Sequence, residues 1–193
     1  MSEKVKISVL VSGGGTNLQA LIDAVKSGNL PQAEIALVVS SRSDAYALKR
    51  AKLAGVATAV ISETAELIKA LEDSKTEYIV LAGYMKILHP DVIKKYRGRI
   101  INIHPSLIPK YCGKGFYGEH VHEAVLAGGE KITGATVHFV DEGIDTGEII
   151  LQRKVPVEEG DDAKTLAARV LETEHQMLPE AVKMLCIQER IRR

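Results

Sequence analysis

Short apolar runs rich in β-branched residues alternate, in the first half of the chain, with segments whose apolar positions recur at helical spacing. The first run covers residues 5–12 and stops at a glycine triplet, after which Thr16 starts a segment with apolar residues at positions 18, 21, 22 and 25. The same alternation predicts strands at 34–40, 56–62, 78–83 and 99–104 and helices at 44–55, 63–74 and 90–96. This order of elements predicts an α/β fold with a mainly parallel sheet.

The second half of the chain has a different pattern. Residues 118–129 have helical spacing, and two strand patterns at 133–141 and 148–157 are joined by a short acidic turn. Two strands joined in this way predict an antiparallel hairpin. A long final helix is predicted from about residue 162 to residue 191, with an irregularity at Pro179 because proline removes one backbone hydrogen bond.

The length and charge of the chain narrow the class of protein and of partner. With 193 residues and 46% apolar content, the chain is expected to form one domain over residues 1–193, built around a single core. Lysines and arginines number 25, as do aspartates and glutamates, so the formal charge is zero. Such a chain lacks the overall positive charge of nucleic-acid binders and of proteins on anionic membranes. We therefore expect small molecules as partners, with no nucleic acid and no membrane.

The cysteines and the first apolar run indicate the compartment. Cys112 and Cys186 lie far apart and match neither a metal-binding spacing nor a redox pair, which is typical of a reducing environment. The first run contains Lys6 and Ser8 and continues into glycines, so we interpret it as a strand rather than a secretion signal. No run in the sequence is long enough to span a bilayer. These features predict a cytoplasmic protein without a disulfide.

An asparagine and a histidine lie two residues apart at the end of the strand predicted at 99–104. Side chains alternate along a strand, so Asn102 and His104 are expected on one face. An amide that donates hydrogen bonds, beside an imidazole that changes charge near neutral pH, suits a developing oxyanion. The alternative is that both side chains satisfy backbone groups where the strand meets a turn. On these residues alone, the structural alternative is favoured.

The segment SGGGTN, residues 12–17, combines free backbone amides with a helix N-terminus. Such a site can bind a phosphate, and Thr16 and Asn17 add side-chain donors. The segment is neither a dinucleotide-binding G-x-G-x-x-G motif nor a Walker loop, because Leu18 occupies the sixth position and no G-K-S/T follows. A glycine turn before a helix also needs no ligand. On this segment alone, an anion-binding site and a purely structural turn are equally good interpretations.

The turn of the predicted hairpin is acidic, with Asp141, Glu142 and Asp145. A carboxylate near His104 would favour the protonated imidazole and raise its pKa. The alternative is that aspartates are common in turns because they bond to their own backbone, and without further context this alternative is favoured. On the adjoining strand, His138 is expected to be a packed or capped side chain rather than a ligand.

Other histidines carry little signal. His120 and His122 are separated by one residue within a predicted helix, and residues two apart lie on different faces, so we predict no metal site there. Glu174 and His175 are adjacent within the final helix, where an exposed charged face is the default interpretation.

Five segments taken together resemble the folate-dependent formyltransferases, and among them the branch that acts on glycinamide ribonucleotide. They are SGGGTNLQALI, LAGYMKIL, NIHPSLIPKY, HFVDEGIDTGEIILQ and TEHQMLP, and they occur in the expected order over nearly the whole chain. The Asn-x-His-Pro-Ser block and the turn at Asp145 are shared with the wider family. SGGGTN and TEH are similar to the glycinamide ribonucleotide branch.

The resemblance implies a Rossmann-like formyltransferase fold. Its sheet is mostly parallel and seven-stranded, with helices on both faces, a C-terminal antiparallel hairpin and a long final helix. The implied reaction transfers the formyl group from 10-formyltetrahydrofolate, a cosubstrate, to the amine of glycinamide ribonucleotide in de novo purine biosynthesis. It passes through a tetrahedral oxyanion and uses no metal. The expected oligomeric state is a monomer or a homodimer.

The resemblance also implies roles for particular residues. The catalytic residues would be Asn102, His104 and Asp145. The ribonucleotide would be bound through its phosphate by Gly15, Thr16 and Asn17 and through its ribose by Glu174. The folate would be bound at Met85, Lys86, Ile87, Leu88, Asn102 and Asp141. The Ile108–Pro109 peptide is expected to be cis, as in the family.

The chain departs from the family pattern at several positions. Lys86 stands where many relatives have arginine, and Leu171 stands where a polar contact to the ribonucleotide is common. The segment at 111–125 is longer than in some relatives, and we interpret Lys114 and Gly115 as part of a mobile loop near the site.

Three other functions compete with this one. A methionyl-tRNA formyltransferase would need a further RNA-binding domain and a basic face, and a formyltetrahydrofolate hydrolase normally has an extra N-terminal regulatory domain. The third possibility is a noncatalytic phosphate-binding module that has kept the glycine loop. Retention of Asn102, His104 and Asp145 argues against that module.

Overall fold

The computed structural model describes residues 3–193, which form one mixed sheet between two layers of helices. The strands of these residues are β1 (Val5–Val11), β2 (Ala33–Ser40), β3 (Thr58–Val60), β4 (Tyr78–Leu81), β5 (Ile100–His104), β6 (Ile132–Phe139) and β7 (Ile149–Pro156). The helices are α1 (Thr16–Lys26), α2 (Tyr46–Leu53), α3 (Thr64–Asp73), α4 (Pro90–Lys95), α5 (Glu119–Ala127) and α6 (Ala163–Arg192).

The sheet has seven strands within the described residues, in the order β3-β2-β1-β4-β5-β6-β7. Strands β1 to β5 pair in parallel, whereas β6 is antiparallel to both β5 and β7. The α/β class, the mostly parallel seven-stranded sheet and the C-terminal hairpin are therefore confirmed. The strand order reverses between β1 and β4, and crevices at the carboxyl ends of strands beside such a reversal are where open α/β sheets bind ligands.

The two faces of the sheet are covered by different helices. On one face, residues such as Val9, Val80 and Ile101 form a large core with α1, α2 and α6. On the other face, residues such as Leu10 and Ile79 pack against α3 and α4. Helices on both faces were expected and are confirmed. Burial of these apolar stripes, roughly 25 cal/mol for each Å² removed from water, is the main source of stability.

The second face changes from apolar to polar along β5. Ile100 is buried in the smaller core, but Asn102 and His104, which follow it on the same face, do not belong to that core. Thr136 and His138 lie opposite them on β6. Beyond Ile100 this face is therefore a polar floor rather than a packing surface for α3 and α4.

Some strands are shorter than the sequence-based expectations. The strand expected at 56–62 is reduced to Thr58–Val60, and a short strand at the end of a sheet limits unwanted pairing. The strand expected to reach Asp141 ends at Phe139, which leaves Asp141 in the loop. The final helix, expected at about 162–191, is confirmed at Ala163–Arg192 and includes Pro179. Buried neighbours such as Leu178 and Val182 hold it in place despite the lost hydrogen bond. None of the helices in residues 3–193 is both long and apolar enough to cross a membrane.

Candidate active site

A cavity of about 670 Å³ opens over the polar floor formed by β5 and β6. Its walls come from the loop after β4, the loop after β5 and the loop between β6 and β7. Asn102, His104, His138 and Asp145 all line it. We expected Asn102, His104 and Asp145 to act together, and the fold brings these three side chains to one cavity.

Strand register explains why Asn102 faces a histidine. Asn102 pairs with His138 across β5 and β6, and His104 pairs with Thr136. Residues directly opposite in an antiparallel pair share a face and lie close together. Asn102 Nδ2 is 3.2 Å from His138 Nε2, so the neighbouring strand holds the amide in place.

The His104 imidazole is fixed by two neighbours. Its Nε2 lies 2.9 Å from the carbonyl oxygen of Tyr111, and a carbonyl only accepts, so Nε2 carries a proton that it donates. Its Nδ1 lies 3.7 Å from Asp145 Oδ2. In the neutral ring Nδ1 is therefore the basic nitrogen, and it faces the carboxylate.

His138 is buried and hydrogen-bonded to the backbone, as expected of a packed or capped side chain, and it also lines the cavity. Its Nδ1 donates to the carbonyl of Phe139 at 2.8 Å, which makes Nε2 the acceptor for Asn102 in the neutral ring. The same Nε2 lies 3.5 Å from Asp145 Oδ1. Two imidazole nitrogens thus flank one carboxylate. The strand patterns contained this signal, because pairing β6 with β5 puts position 138 opposite position 102.

Asp145 connects two of the loops around the cavity. It adopts a left-handed backbone conformation with φ of 57°, which is uncommon for a residue with a Cβ atom. Its Oδ2 accepts a hydrogen bond of 2.9 Å from the backbone N–H of Gly113, in the loop after β5. The carboxylate therefore aligns that loop with the loop between β6 and β7.

The charge of His104 differs from the sequence-based expectation. Burial lowers the pKa of His104, and this effect outweighs the raising effects of the Tyr111 carbonyl and the Asp145 charge. Burial also acts to raise the pKa of Asp145, but the contacts with His138 and Gly113 reverse that effect and leave it lowered. The site thus pairs an ionised carboxylate with an imidazole that is neutral near pH 7. Asp145 acts to raise the pKa of His104, as expected, but burial outweighs this effect, and the sequence could not show how deeply the ring is buried.

The glycine loop after β1 is built around a close approach to α2. Gly15 has φ of 73°, and a Cβ atom there would lie 2.5 Å from the Ala47 side chain. Ala47 donates its backbone N–H to Gly13 at 3.1 Å, and Arg50 Nε donates to the Gly14 carbonyl at 2.8 Å. Glycine at position 15 is therefore required by the packing. Arg50 could not be identified from the sequence pattern, because its contact depends on how α2 packs.

Asn17 and Glu174 meet behind this loop. Asn17 Nδ2 donates to Glu174 Oε2 at 2.7 Å, and both residues are buried. Burial raises the pKa of Glu174 to about 7, and Asn17 Oδ1 has no hydrogen-bond partner among the described residues. The default interpretation of an exposed helix face at Glu174 was wrong, because α6 turns this position toward α1. Thr16 is the first residue of α1, beside Asn17.

All six residues expected to bind folate line the cavity: Met85, Lys86, Ile87, Leu88, Asn102 and Asp141. The backbone N–H of Met85 is held by Ser12 Oγ at 2.9 Å, which ties the loop after β4 to the end of β1. Asp141 Oδ1 accepts from the Thr146 hydroxyl at 2.6 Å and from the Gly143 N–H at 3.0 Å. Its carboxylate therefore shapes the loop from within. Gly15, Thr16, Asn17 and Glu174 are not among the residues that line this cavity.

Four further features concern a proline peptide bond, the cysteines, metal binding and the remaining histidines. The Ile108–Pro109 peptide is cis, as the resemblance implied. Cys112 and Cys186 are both free thiols. Within residues 3–193, no group of three or more histidine, cysteine and acidic side chains is arranged to hold a metal ion. His120 pairs with Glu123 at 3.1 Å on the surface, whereas His122 is buried.

A family model described as "Formyl transferase" matches residues 5–182. A phosphoribosylglycinamide formyltransferase from Haemophilus influenzae is 45% identical over 187 residues, which cover 92% of this chain and 85% of the relative. The Escherichia coli protein of the same name is 41% identical over 184 residues, covering 91% and 84%. A trifunctional purine biosynthetic protein from Drosophila pseudoobscura pseudoobscura is 45% identical over 190 residues. Those residues cover 93% of this chain but only 14% of that protein's length.

Solved structures give a matching result. The glycinamide ribonucleotide transformylase 1 of Symbiobacterium toebii superposes with a TM-score of 0.90 at 38% identity, covering 97% of this chain and 90% of the other. The phosphoribosylglycinamide formyltransferase of Brucella melitensis superposes with a TM-score of 0.86 at 40% identity, covering 95% and 96%. A formyltetrahydrofolate deformylase from Pseudomonas syringae has a TM-score of 0.88 at 24% identity, covering 97% and 63%. This last likeness concerns the fold alone.

Proposed function

The chain belongs to the formyl transferase family, and from that premise we propose that it transfers the formyl group of 10-formyltetrahydrofolate to the amine of glycinamide ribonucleotide. The reaction is a step of de novo purine biosynthesis. Relatives that this chain matches over most of both lengths are named phosphoribosylglycinamide formyltransferases. The single observation that carries the proposal is that Asn102, His104 and Asp145 surround one cavity.

The folate cosubstrate occupies the cavity in this proposal. Met85 and Ile87 are exposed apolar side chains at its wall. Exposed apolar groups at a cavity are typical of a surface that a ligand covers, so we assign them to the pterin ring. Asp141 contributes through the loop that its carboxylate orders, and Lys86 through its position on the same wall. Asn102 lies at the boundary between the folate and the reacting carbon.

The ribonucleotide is bound at the glycine loop. Its phosphate meets the N-terminus of α1, where Gly15, Thr16 and Asn17 present backbone and side-chain donors. Its ribose hydroxyls meet Glu174. The unpartnered Asn17 Oδ1 and the buried Glu174 carboxyl support this assignment, because buried polar atoms in native proteins normally have a partner.

In the first chemical step the substrate amine attacks the formyl carbon, and the carbonyl electron pair moves to the oxygen. Asn102 contacts His138 through Nδ2, and an amide nitrogen has two N–H groups. The second N–H is free to donate to the developing oxyanion. A donor whose bond strengthens as charge appears stabilises the transition state more than the ground state.

His104 changes charge during the reaction rather than before it. Its neutral Nδ1 accepts the proton that the attacking nitrogen loses, directly or through one water, and later delivers a proton to the departing folate nitrogen. Asp145, 3.7 Å away, stabilises the imidazolium that exists between these transfers. Burial that keeps the resting ring neutral therefore makes the attraction to Asp145 available mainly in the transition state.

The proposal is tested by an assay with purified protein, 10-formyltetrahydrofolate and glycinamide ribonucleotide. Folate absorbance and the mass of the nucleotide are followed with each substrate omitted in turn. Transfer predicts a nucleotide heavier by one formyl group, formed only when both substrates are present. Loss of formyl without the ribonucleotide would indicate a hydrolase, and no reaction in any mixture would indicate a binding module.

The location and the oligomeric state of the enzyme complete the proposal. We place the enzyme in the cytoplasm, since its two thiols are free and folate-dependent purine synthesis uses soluble substrates. We propose a monomer or a homodimer, as the resemblance to the formyltransferases implies. Light scattering at assay concentration measures the mass, and any larger assembly would contradict this assignment.

A further inference from the structure

We propose that Glu130, outside the cavity, is a positioning residue for His104. It holds the Lys110–Tyr111 backbone so that the Tyr111 carbonyl keeps a proton on Nε2 and leaves Nδ1 free for proton transfer. Glu130 lies between α5 and β6 and is not among the residues that line the cavity. The inference rests on the proposed function, in which His104 transfers the proton.

Glu130 makes two contacts with the loop after β5. Its Oε1 accepts from Lys110 Nζ at 2.8 Å and from the Tyr111 hydroxyl at 3.1 Å. The loop is tied a second time by Ser106, whose hydroxyl donates to the Lys110 carbonyl at 2.7 Å. Gly128 lets the Tyr111 ring approach, because a Cβ atom there would lie 2.2 Å from its hydroxyl oxygen.

These contacts hold Tyr111 in an unfavourable backbone conformation. Its φ is 53°, in the left-handed region that a residue with a Cβ atom adopts only when its surroundings require it. This conformation directs the Tyr111 carbonyl to His104 Nε2 at 2.9 Å. With the side-chain contacts removed, the backbone is free to rotate toward a more favourable φ, and the carbonyl would leave the imidazole.

The carbonyl decides which ring nitrogen is basic. A neutral imidazole has one N–H, and loss of the Tyr111 acceptor would let the proton move to Nδ1, where Asp145 offers a second acceptor. In that tautomer, Nδ1 can no longer accept a proton from the substrate amine. Glu130 therefore acts on the reaction through a backbone hydrogen bond, without touching the substrate.

Several groups besides Tyr111 influence the charge of His104. Asp145 faces it from the loop between β6 and β7, His138 from β6, and His122 acts from α5. Burial and the nearby Asp145 charge both raise the pKa of Cys112. Within this set the Tyr111 carbonyl favours the charged ring, so its loss lowers the pKa of His104 further.

The test is an NMR titration of protein labelled with ¹⁵N in histidine, because imidazole nitrogen shifts report both tautomer and pKa. In the unsubstituted protein, we expect His104 as the Nε2–H tautomer. Glu130→Ala should populate the Nδ1–H tautomer and lower the pKa of His104, because the Tyr111 carbonyl favours the charged ring. Glu130→Gln keeps an acceptor oxygen and should restore part of the effect. Tyr111→Phe removes one of the two contacts and should shift the ring in the same direction by less.

Kinetics provide the second readout, with Glu123→Ala as the matched control. Glu123 is an exposed carboxylate on α5 that pairs with His120. Glu130→Ala should lower kcat by roughly fivefold to tenfold, as expected for one lost hydrogen bond, whereas Glu123→Ala should not. The rise of kcat/KM with pH, which follows deprotonation of His104, should move to lower pH in Glu130→Ala.

Two results would overturn the proposal. One is an Nδ1–H tautomer of His104 in the unsubstituted protein. The other is a Glu130→Ala protein that folds and loses activity while the tautomer and pKa of His104 stay unchanged, which would leave Glu130 a purely structural role. The NMR readout needs no turnover, so an absence of formyl transfer would count against the proposed function and not against this inference.

Discussion

The cavity over β5 and β6 and the glycine loop after β1 satisfy their buried polar groups in different ways. In the cavity, His104 and His138 each donate to a backbone carbonyl, and Asp145 accepts a backbone N–H. Behind the glycine loop, Asn17 Oδ1 has no partner among the described residues, and Glu174 is paired with Asn17 in a buried position.

The difference indicates what each region is built to do. Side chains fixed by backbone groups keep their geometry before substrate arrives, which suits a centre where chemistry requires precise orientation. Polar groups left without full partners lose nothing further when a ligand pairs with them, so they suit recognition of ribose hydroxyls. The comparison therefore predicts that substitutions in the cavity mainly reduce kcat, whereas substitutions at the loop mainly raise KM for the ribonucleotide.

The largest effect is expected from the cavity side chains. Asn102→Ala removes the oxyanion donor and should lower kcat at least roughly a hundredfold, since loss of one such donor typically costs about 2.7 to 4 kcal/mol. His104→Ala removes the group that transfers the proton and should also lower kcat at least roughly a hundredfold, since general acid–base catalysis typically contributes about 10²- to 10⁴-fold. KM for the ribonucleotide should change little. Steady-state kinetics with both substrates varied measure the two constants. Turnover near that of the unsubstituted enzyme in both variants would remove the proposed mechanism.

The second effect is the pH dependence of the free energy of unfolding that Glu174 causes. Its pKa is raised from 4.5 to about 7 in the folded protein. Between these values the folded state binds more protons than the unfolded state, so the free energy of unfolding falls as pH rises. The whole shift corresponds to about 3 kcal/mol, lost mostly by pH 7.

Glu174→Gln removes this dependence. Urea unfolding at about pH 5 and about pH 8 should show the unsubstituted protein losing stability, relative to the variant, as pH rises. Glu172→Gln, an exposed position on the same helix, serves as the control and should follow the unsubstituted protein. Equal pH dependence in the Glu174→Gln and unsubstituted proteins would mean that the carboxyl is not held neutral by burial.

The cavity side chains and Glu174 also differ in how far the sequence alone predicts them. The strand–loop–helix order and the shared face of Asn102 and His104 follow from local periodicity, and both were predicted. The burial of Glu174 depends on α1 packing against α6, and the position of His138 depends on the pairing of β5 with β6. The sign of the pKa shift at His104 likewise depends on burial, which no local pattern reports. The role of Glu174 came only from the family resemblance.

The third effect tests the loop side of the comparison directly. Asn17→Ala should raise KM for the ribonucleotide by about tenfold, because a site built to hydrogen-bond its ligand loses roughly this much with one partner. The KM for the folate should stay within about twofold, since Asn17 is not among the residues that line the folate cavity. Initial rates with each substrate varied separately measure the split. A larger change in kcat than in KM would show that the two regions are not functionally separate.

The smallest effect is expected at Arg50, which supports the loop without lining the cavity. Its Nε donates to Gly14 and its Nη1 to Gln19 at 3.2 Å, but Ala47 also holds the loop through Gly13. Because the Ala47 contact still holds the glycine loop when Arg50 is removed, Arg50→Ala should raise KM for the ribonucleotide only about threefold, with kcat unchanged. Arg97→Ala is the matched arginine substitution at the cavity. It removes an exposed ion pair between Arg97 and Glu142, which lies in the loop between β6 and β7. That variant should leave KM for the ribonucleotide unchanged, and equal effects of the two arginines on this constant would break the comparison.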